Sequence, residues 1–168
     1  MTDLQAALAA LEVGMQTEID GYQFYTQFAA RTKDPQAKEM FERLARDEVM
    51  HLDLLRNNKA MLEDSGQWTE HVALEAERRE GAPIFSRERV AANVVDYTSD
   101  LSALRLAYLI ERDAVDFYQR AAERIDDANG QRMFRDLARW EQGHLNMLES
   151  EYQFLLEQFH STMGFAPF

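Results

Sequence analysis

Shifted by 93 residues, this chain lies over itself: from position 11 to 56, 17 of 46 residues recur 93 places on. Glu18, Glu48 and His51 fall on Glu111, Glu141 and His144. Phe24-Tyr25 falls on Phe117-Tyr118, Met40-Phe41 on Met133-Phe134, and Leu44-Ala45-Arg46 on Leu137-Ala138-Arg139. The fold must therefore contain one substructure twice. Inside each copy stands a Glu-x-x-His step, Glu48-Val49-Met50-His51 and Glu141-Gln142-Gly143-His144. Residues three apart on an α-helix share a face, so each step aims a carboxylate and an imidazole the same way. Thirty residues before each step comes one more glutamate, Glu18 or Glu111.

The repeat is built for helix. Pro and Gly number 3 and 7 in 168 residues, and the rest is dominated by good helix formers. Leu4, Leu8, Leu11, Met15, Tyr22, Tyr25 and Ala29 predict the buried stripe of a first helix, with Glu18 in the place of one member. Lys33-Asp34-Pro35 ends it and starts a second helix, Asp34 as the cap and Pro35 in the first turn. Ala37, Phe41, Leu44 and Leu55 point inward there, and Ser65-Gly66 stops it. A third helix from Thr98 or Ser99 carries Leu101, Leu104, Tyr108, Val115, Tyr118 and Ala122. A fourth, capped by Asp126-Asp127, runs to about His160 with Phe134, Leu137, Leu148, Leu155 and Phe159 inward.

Between the two hairpins, about 3–64 and 99–160, residues 66–98 are far longer than an ordinary helix–helix loop of ~2–8 residues. They suit a crossover that carries the chain back along the bundle. The expected architecture is one all-α domain over residues 1–168, an internally duplicated, up-down-down-up four-helix bundle. A chain of this size buries roughly 70% of its unfolded surface.

Each of the four apolar stripes is broken near its middle by Glu or His, and no Arg or Lys stands at an inward position to balance them. Uncompensated buried charge is costly, so the missing partner is read as metal. Four carboxylates bring −4 and two divalent cations +4. Oxygen-rich ligands with two imidazoles suit iron or manganese, with zinc and cobalt as substitutes. The net charge of −12 argues against nucleic acid as a partner. With no cysteine, disulfides and thiolate sites are excluded. No window approaches the ~20 apolar residues of a membrane span and no leader is evident, so a soluble cytoplasmic protein is expected.

These six residues in this order resemble the ferritin-like di-iron carboxylate superfamily, and within it the rubrerythrin and bacterioferritin branch. The resemblance covers the four helices. It implies that Glu18 and His51 bind one iron, Glu111 and His144 the other, and that Glu48 and Glu141 bridge. It also implies site-adjacent roles for Tyr25 and Tyr118, which read from the sequence alone are equally core aromatics. The implied function is reduction of dioxygen or hydrogen peroxide, of peroxidase or ferroxidase type. The chain departs from rubrerythrins proper in carrying Ala114 where they have an extra glutamate, and in lacking a Cys-ligated iron module. Electrons are therefore expected from a separate donor protein. No fifth helix follows His160, which speaks against a closed storage cage. Iron storage, oxidation of an organic substrate and a purely structural metal remain as alternatives.

Of the remaining residues, Met15, Met40, Met133 and Met147 read as core filler, and Tyr22 as packing. His71, His160 and the Arg78-Arg79 run read as solvated, and Asp20 and Asp113 as surface or helix–helix contacts. Gly143 leaves room either for the site or for a neighbouring helix. The apolar tail, 161–168, and the crossover make a homodimer plausible.

Overall fold

The computed structural model describes residues 3–70, 85 and 97–163. It contains α1 (Asp3–Arg31), α2 (Pro35–Ser65), α3 (Thr98–Arg124) and α4 (Ala128–Met163), with no strand among the described residues. The boundaries follow local chemistry. Asp34 sits in extended conformation before Pro35, and its carboxylate accepts from the backbone N–H groups of Gln36 and Ala37 at 2.8 and 3.1 Å. Asp127 serves α4 the same way, accepting from Asn129 and Gly130. Gly66 ends α2 in the left-handed region (φ 69°) and donates to the Leu62 carbonyl, the conformation that favours glycine.

α1 packs along α2, α3 along α4, and α1 also meets α3. Two apolar clusters fill the interior. One joins Tyr25 and Ala29 of α1 to Met40, Phe41 and Leu44 of α2, Leu104 of α3, and Leu148 and Leu155 of α4. The other joins Ala7 and Leu11 to Leu55 and Leu62, Tyr118 and Ala122, and Phe134 and Leu137. Thus α1 and α4 run one way and α2 and α3 the other, which is the up-down-down-up order of a ferritin-like four-helix bundle. Trp68 packs in the second cluster, whereas Phe85 and Tyr97 pack in the first. The connection from α2 to α3 therefore travels the length of the bundle.

The apolar stripe of α1 departs from expectation. Leu4 and Tyr22 are exposed (43% and 42%), and the buried face is Ala7, Leu11, Gly14, Glu18, Gly21, Tyr25 and Ala29. The reason is close approach. A Cβ on Gly14 would stand 3.2 Å from the Tyr118 ring, and one on Gly21 would stand 3.1 Å from the Glu48 carboxylate. Small residues on α1 make room for large groups of its neighbours. Gly130 does the same for Trp68, whose ring lies 2.6 Å from where a Cβ would sit. Gly143 faces open space, so it leaves room for neither the site nor a helix. Met40 and Met133 are core, while Met15 and Met147 are half-buried at its edge. His71, Arg78-Arg79 and the last five residues of the tail lie outside the described residues.

Candidate metal centre

On every helix the site residues fall between the two apolar clusters. Glu18 lies between Leu11 and Tyr25, Glu48 and His51 between Ala45 and Leu55, Glu111 between Ala107 and Ala114, and Glu141 and His144 between Ala138 and Leu148. None of the six is more than 6% exposed. Their donor atoms form two groups, each with all its atoms within 4.8 Å of one another: Glu18, Glu48, His51 and Glu141, and Glu48, Glu111, Glu141 and His144. Both groups contain Glu48 and Glu141. The sequence brought six residues to attention, and the fold brings all six together.

The imidazoles turn their Nδ1 atoms inward. His51 Nδ1 lies 2.8 Å from Glu141 Oε1 and 3.2 Å from Glu18 Oε2. His144 Nδ1 lies 2.9 Å from Glu141 Oε2 and 3.5 Å from Glu111 Oε1. Even so, Glu48 Oε1, both Glu141 oxygens and His144 Nδ1 make no well-directed hydrogen bond among the described residues. Buried polar atoms ordinarily find such partners. Atoms that converge on common points without bonding one another are what a pair of cations requires, so the donor set fits the metals the sequence calls for.

The electrostatics carry the same message. Burial, and then the charge of Glu141, hold the Glu48 carboxyl well above its ordinary range. Burial and Glu141 raise Glu111 to about 7. Burial would pull both histidines down. Instead Glu141 and Glu18 push His51 up to about 10, and the close approach of Asp47, Glu111 and Glu141 holds His144 well above 6.5. Burial pushes Glu141 up too, but His51 and then His144 keep it well below the usual carboxylate range. Without cations the cluster holds itself together by retaining protons.

Tyr25 and Tyr118 reach the site in an unforeseen way. Each follows a site glutamate of its own helix by seven residues, yet bonds the glutamate of the facing helix. Tyr25 Oη donates to Glu111 Oε1, and Tyr118 Oη donates to Glu18 Oε1. Burial, followed by the neighbouring carboxylates, raises both phenols well above 10, so they stay protonated donors. Tyr22, in contrast, lies on the exposed side of α1.

Two contacts escaped the sequence reading. Asp47 Oδ2 lies 3.2 Å from His144 Nε2, and the Trp140 ring stands edge-on to His51, centroids 4.9 Å apart. Each residue immediately precedes a site glutamate, and the 93-residue repeat equates the two positions. That equivalence was the available signal. Asp20 and Asp113 are surface residues, hydrogen-bonded to Gln16 and Arg112. His160 is half-buried against Phe159 rather than solvated, sixteen residues beyond His144 on α4.

A rubrerythrin family model matches residues 9–152. A hypothetical protein from Pyrococcus furiosus has a similar solved structure, with a TM-score of 0.65 and 25% identity over 90% of each chain. No curated protein matches the chain. No described helix is long and apolar enough to cross a membrane.

Proposed function

This chain belongs to the rubrerythrin family, and from that premise we propose that it is a di-iron oxidoreductase reducing hydrogen peroxide or dioxygen. The observation that carries the reading is the pair of overlapping donor groups that share Glu48 and Glu141. Glu18 and His51 would hold one iron and Glu111 and His144 the other, with Glu48 and Glu141 available to both. Two bound ferrous ions supply two electrons, the number needed with two protons to take hydrogen peroxide to two waters, or dioxygen to hydrogen peroxide. Manganese or zinc can occupy the same ligands.

The chain's own residues prepare that chemistry in three ways. The apolar clusters on either side exclude water and strengthen each electrostatic contact inside. Tyr25 and Tyr118 hold Glu111 and Glu18 by hydrogen bonds from protonated phenols, fixing the two terminal carboxylates. Protons retained on His51 and Glu111 leave when cations enter, so loading is coupled to proton release. The electrons are returned by a donor outside these 168 residues, which contain no cysteine for an iron–thiolate module.

The test is anaerobic titration of the apoprotein with Fe(II), followed by stopped-flow mixing with hydrogen peroxide or oxygen-saturated buffer. Two irons per chain, oxidised rapidly by either oxidant, support the proposal. Continued uptake beyond two would move the function to iron storage. Two irons with no rapid oxidation by either oxidant would leave a structural metal or an unsupplied organic substrate.

A further inference from the structure

The repeat gives the two halves of the site the same ligand residues, and one position where they differ is informative. Residue 47 corresponds to residue 140, yet one is Asp and the other Trp. His144 presents Nδ1 to the carboxylates and Nε2 to Asp47 Oδ2, at 3.2 Å. The Asp47 side chain is 18% exposed, at the edge of the buried cluster. His51 also presents Nδ1 to the carboxylates, but its Nε2 is buried and has no hydrogen-bond partner among the described residues. What stands beside that ring is the half-buried Trp140 indole, at an interplanar angle of 82°.

An imidazole that donates Nε2–H to a carboxylate is fixed in the tautomer whose Nδ1 lone pair is free, and its basicity toward a metal rises. An aromatic neighbour offers at most a weak N–H···π contact. We propose that the two metal positions are inequivalent: the Glu111/His144 position, backed by Asp47, fills first and binds more tightly than the Glu18/His51 position, backed by Trp140. The proposal rests on the two-metal reading above. Asp47 is a positioning residue acting through His144, and it touches no metal. Its removal should weaken one position by ~10–100-fold, the usual cost of losing such a partner.

The experiment is titration of metal-free chain with Co(II), followed by visible absorption and calorimetry, in the wild type and in Asp47→Asn, which keeps all six ligands and the side-chain shape. Mutual repulsion splits the two constants even in symmetrical sites, so the variants decide. In Asp47→Asn the tighter constant should fall ~10–100-fold while the weaker shifts by less than ~3-fold, with two Co(II) still bound. His51→Ala and His144→Ala, checked for helix content, then isolate each position. Adding Asp47→Asn should weaken the single site of His51→Ala and leave that of His144→Ala unchanged. Equal weakening of both positions, no weakening, or tighter binding by His144→Ala than by His51→Ala would each overturn the inequivalence. Failure of the wild type to bind two Co(II) would instead overturn the two-metal reading on which it stands.

Discussion

Stripped of metal, this protein should lose stability as the pH rises from 5.5 to 8, because its buried cluster then gives up protons. His51 and Glu111 set the least size of the effect, and Glu48 and His144, which are raised as well, act with the same sign. His51 is raised from 6.5 to about 10 in the folded chain. Its contribution is complete below 6.5 and drains away as pH climbs toward 10. Glu111 is raised from 4.5 to about 7, so its penalty is absent below 4.5 and grows until the group is ionised above 7. Glu141 is held low and is ionised in both folded and unfolded chains across this window, so it offsets neither. At 1.36 kcal/mol per pH interval of unmatched titration, each group costs roughly 2 kcal/mol between pH 5.5 and 8. For a chain of this size 1 kcal/mol moves Tm by ~2–4 °C, so a fall of roughly 8–16 °C is expected. The assay is thermal unfolding followed by far-ultraviolet circular dichroism on chelator-treated protein. Metal-loaded protein should show the opposite slope, because cations displace those protons and bind better as pH rises. A metal-free Tm that is level or rises from pH 5.5 to 8 would refute the claim that the buried cluster retains protons.

Three substitutions test the packing around the site. Gly143→Ala, on an exposed turn of α4 with nothing near the new Cβ, should stabilise the chain by ~0.5–1 kcal/mol in denaturant titration. Gly130→Ala should destabilise it by ~1–3 kcal/mol, because its Cβ would meet Trp68 at 2.6 Å and Ile125 at 2.8 Å, and tryptophan emission should shift with it. Tyr118→Phe removes the donor to Glu18 and should cost the metal-free protein ~1–3 kcal/mol while the metal stoichiometry stays the same.

The fold was legible because it is written twice. The 93-residue repeat pointed to two paired hairpins, the capping residues Asp34 and Asp127 marked helix starts, and the length of residues 66–98 suited a connection along the bundle. The six site residues stood out because charge at a core position is expensive and leaves a gap in a regular stripe. What the sequence hid were matters of reach. Leu4 and Tyr22 fit a heptad as well as Ala7 and Gly21 do, and only the size of Tyr118 and Glu48 on facing helices decides which edge of α1 turns inward. Tyr25 and Tyr118 are spaced from glutamates of their own helices, but the antiparallel arrangement of α1 and α3 delivers each hydroxyl to the other's glutamate. Asp47 and Trp140 carry no pattern of their own, and their places beside His144 and His51 emerge only from side-chain geometry.

The central claim is a pair of cations held within a few ångströms by two shared carboxylates. Reconstitution of the metal-free protein with Mn(II), followed by metal analysis and electron paramagnetic resonance, tests it most directly. Metals bridged at ~3.5–4 Å exchange-couple, so the account predicts two Mn(II) per chain with a coupled multiline spectrum, lost together in Glu48→Ala and in Glu141→Ala. One Mn(II) per chain, or two giving the simple six-line signal of isolated ions, would contradict it.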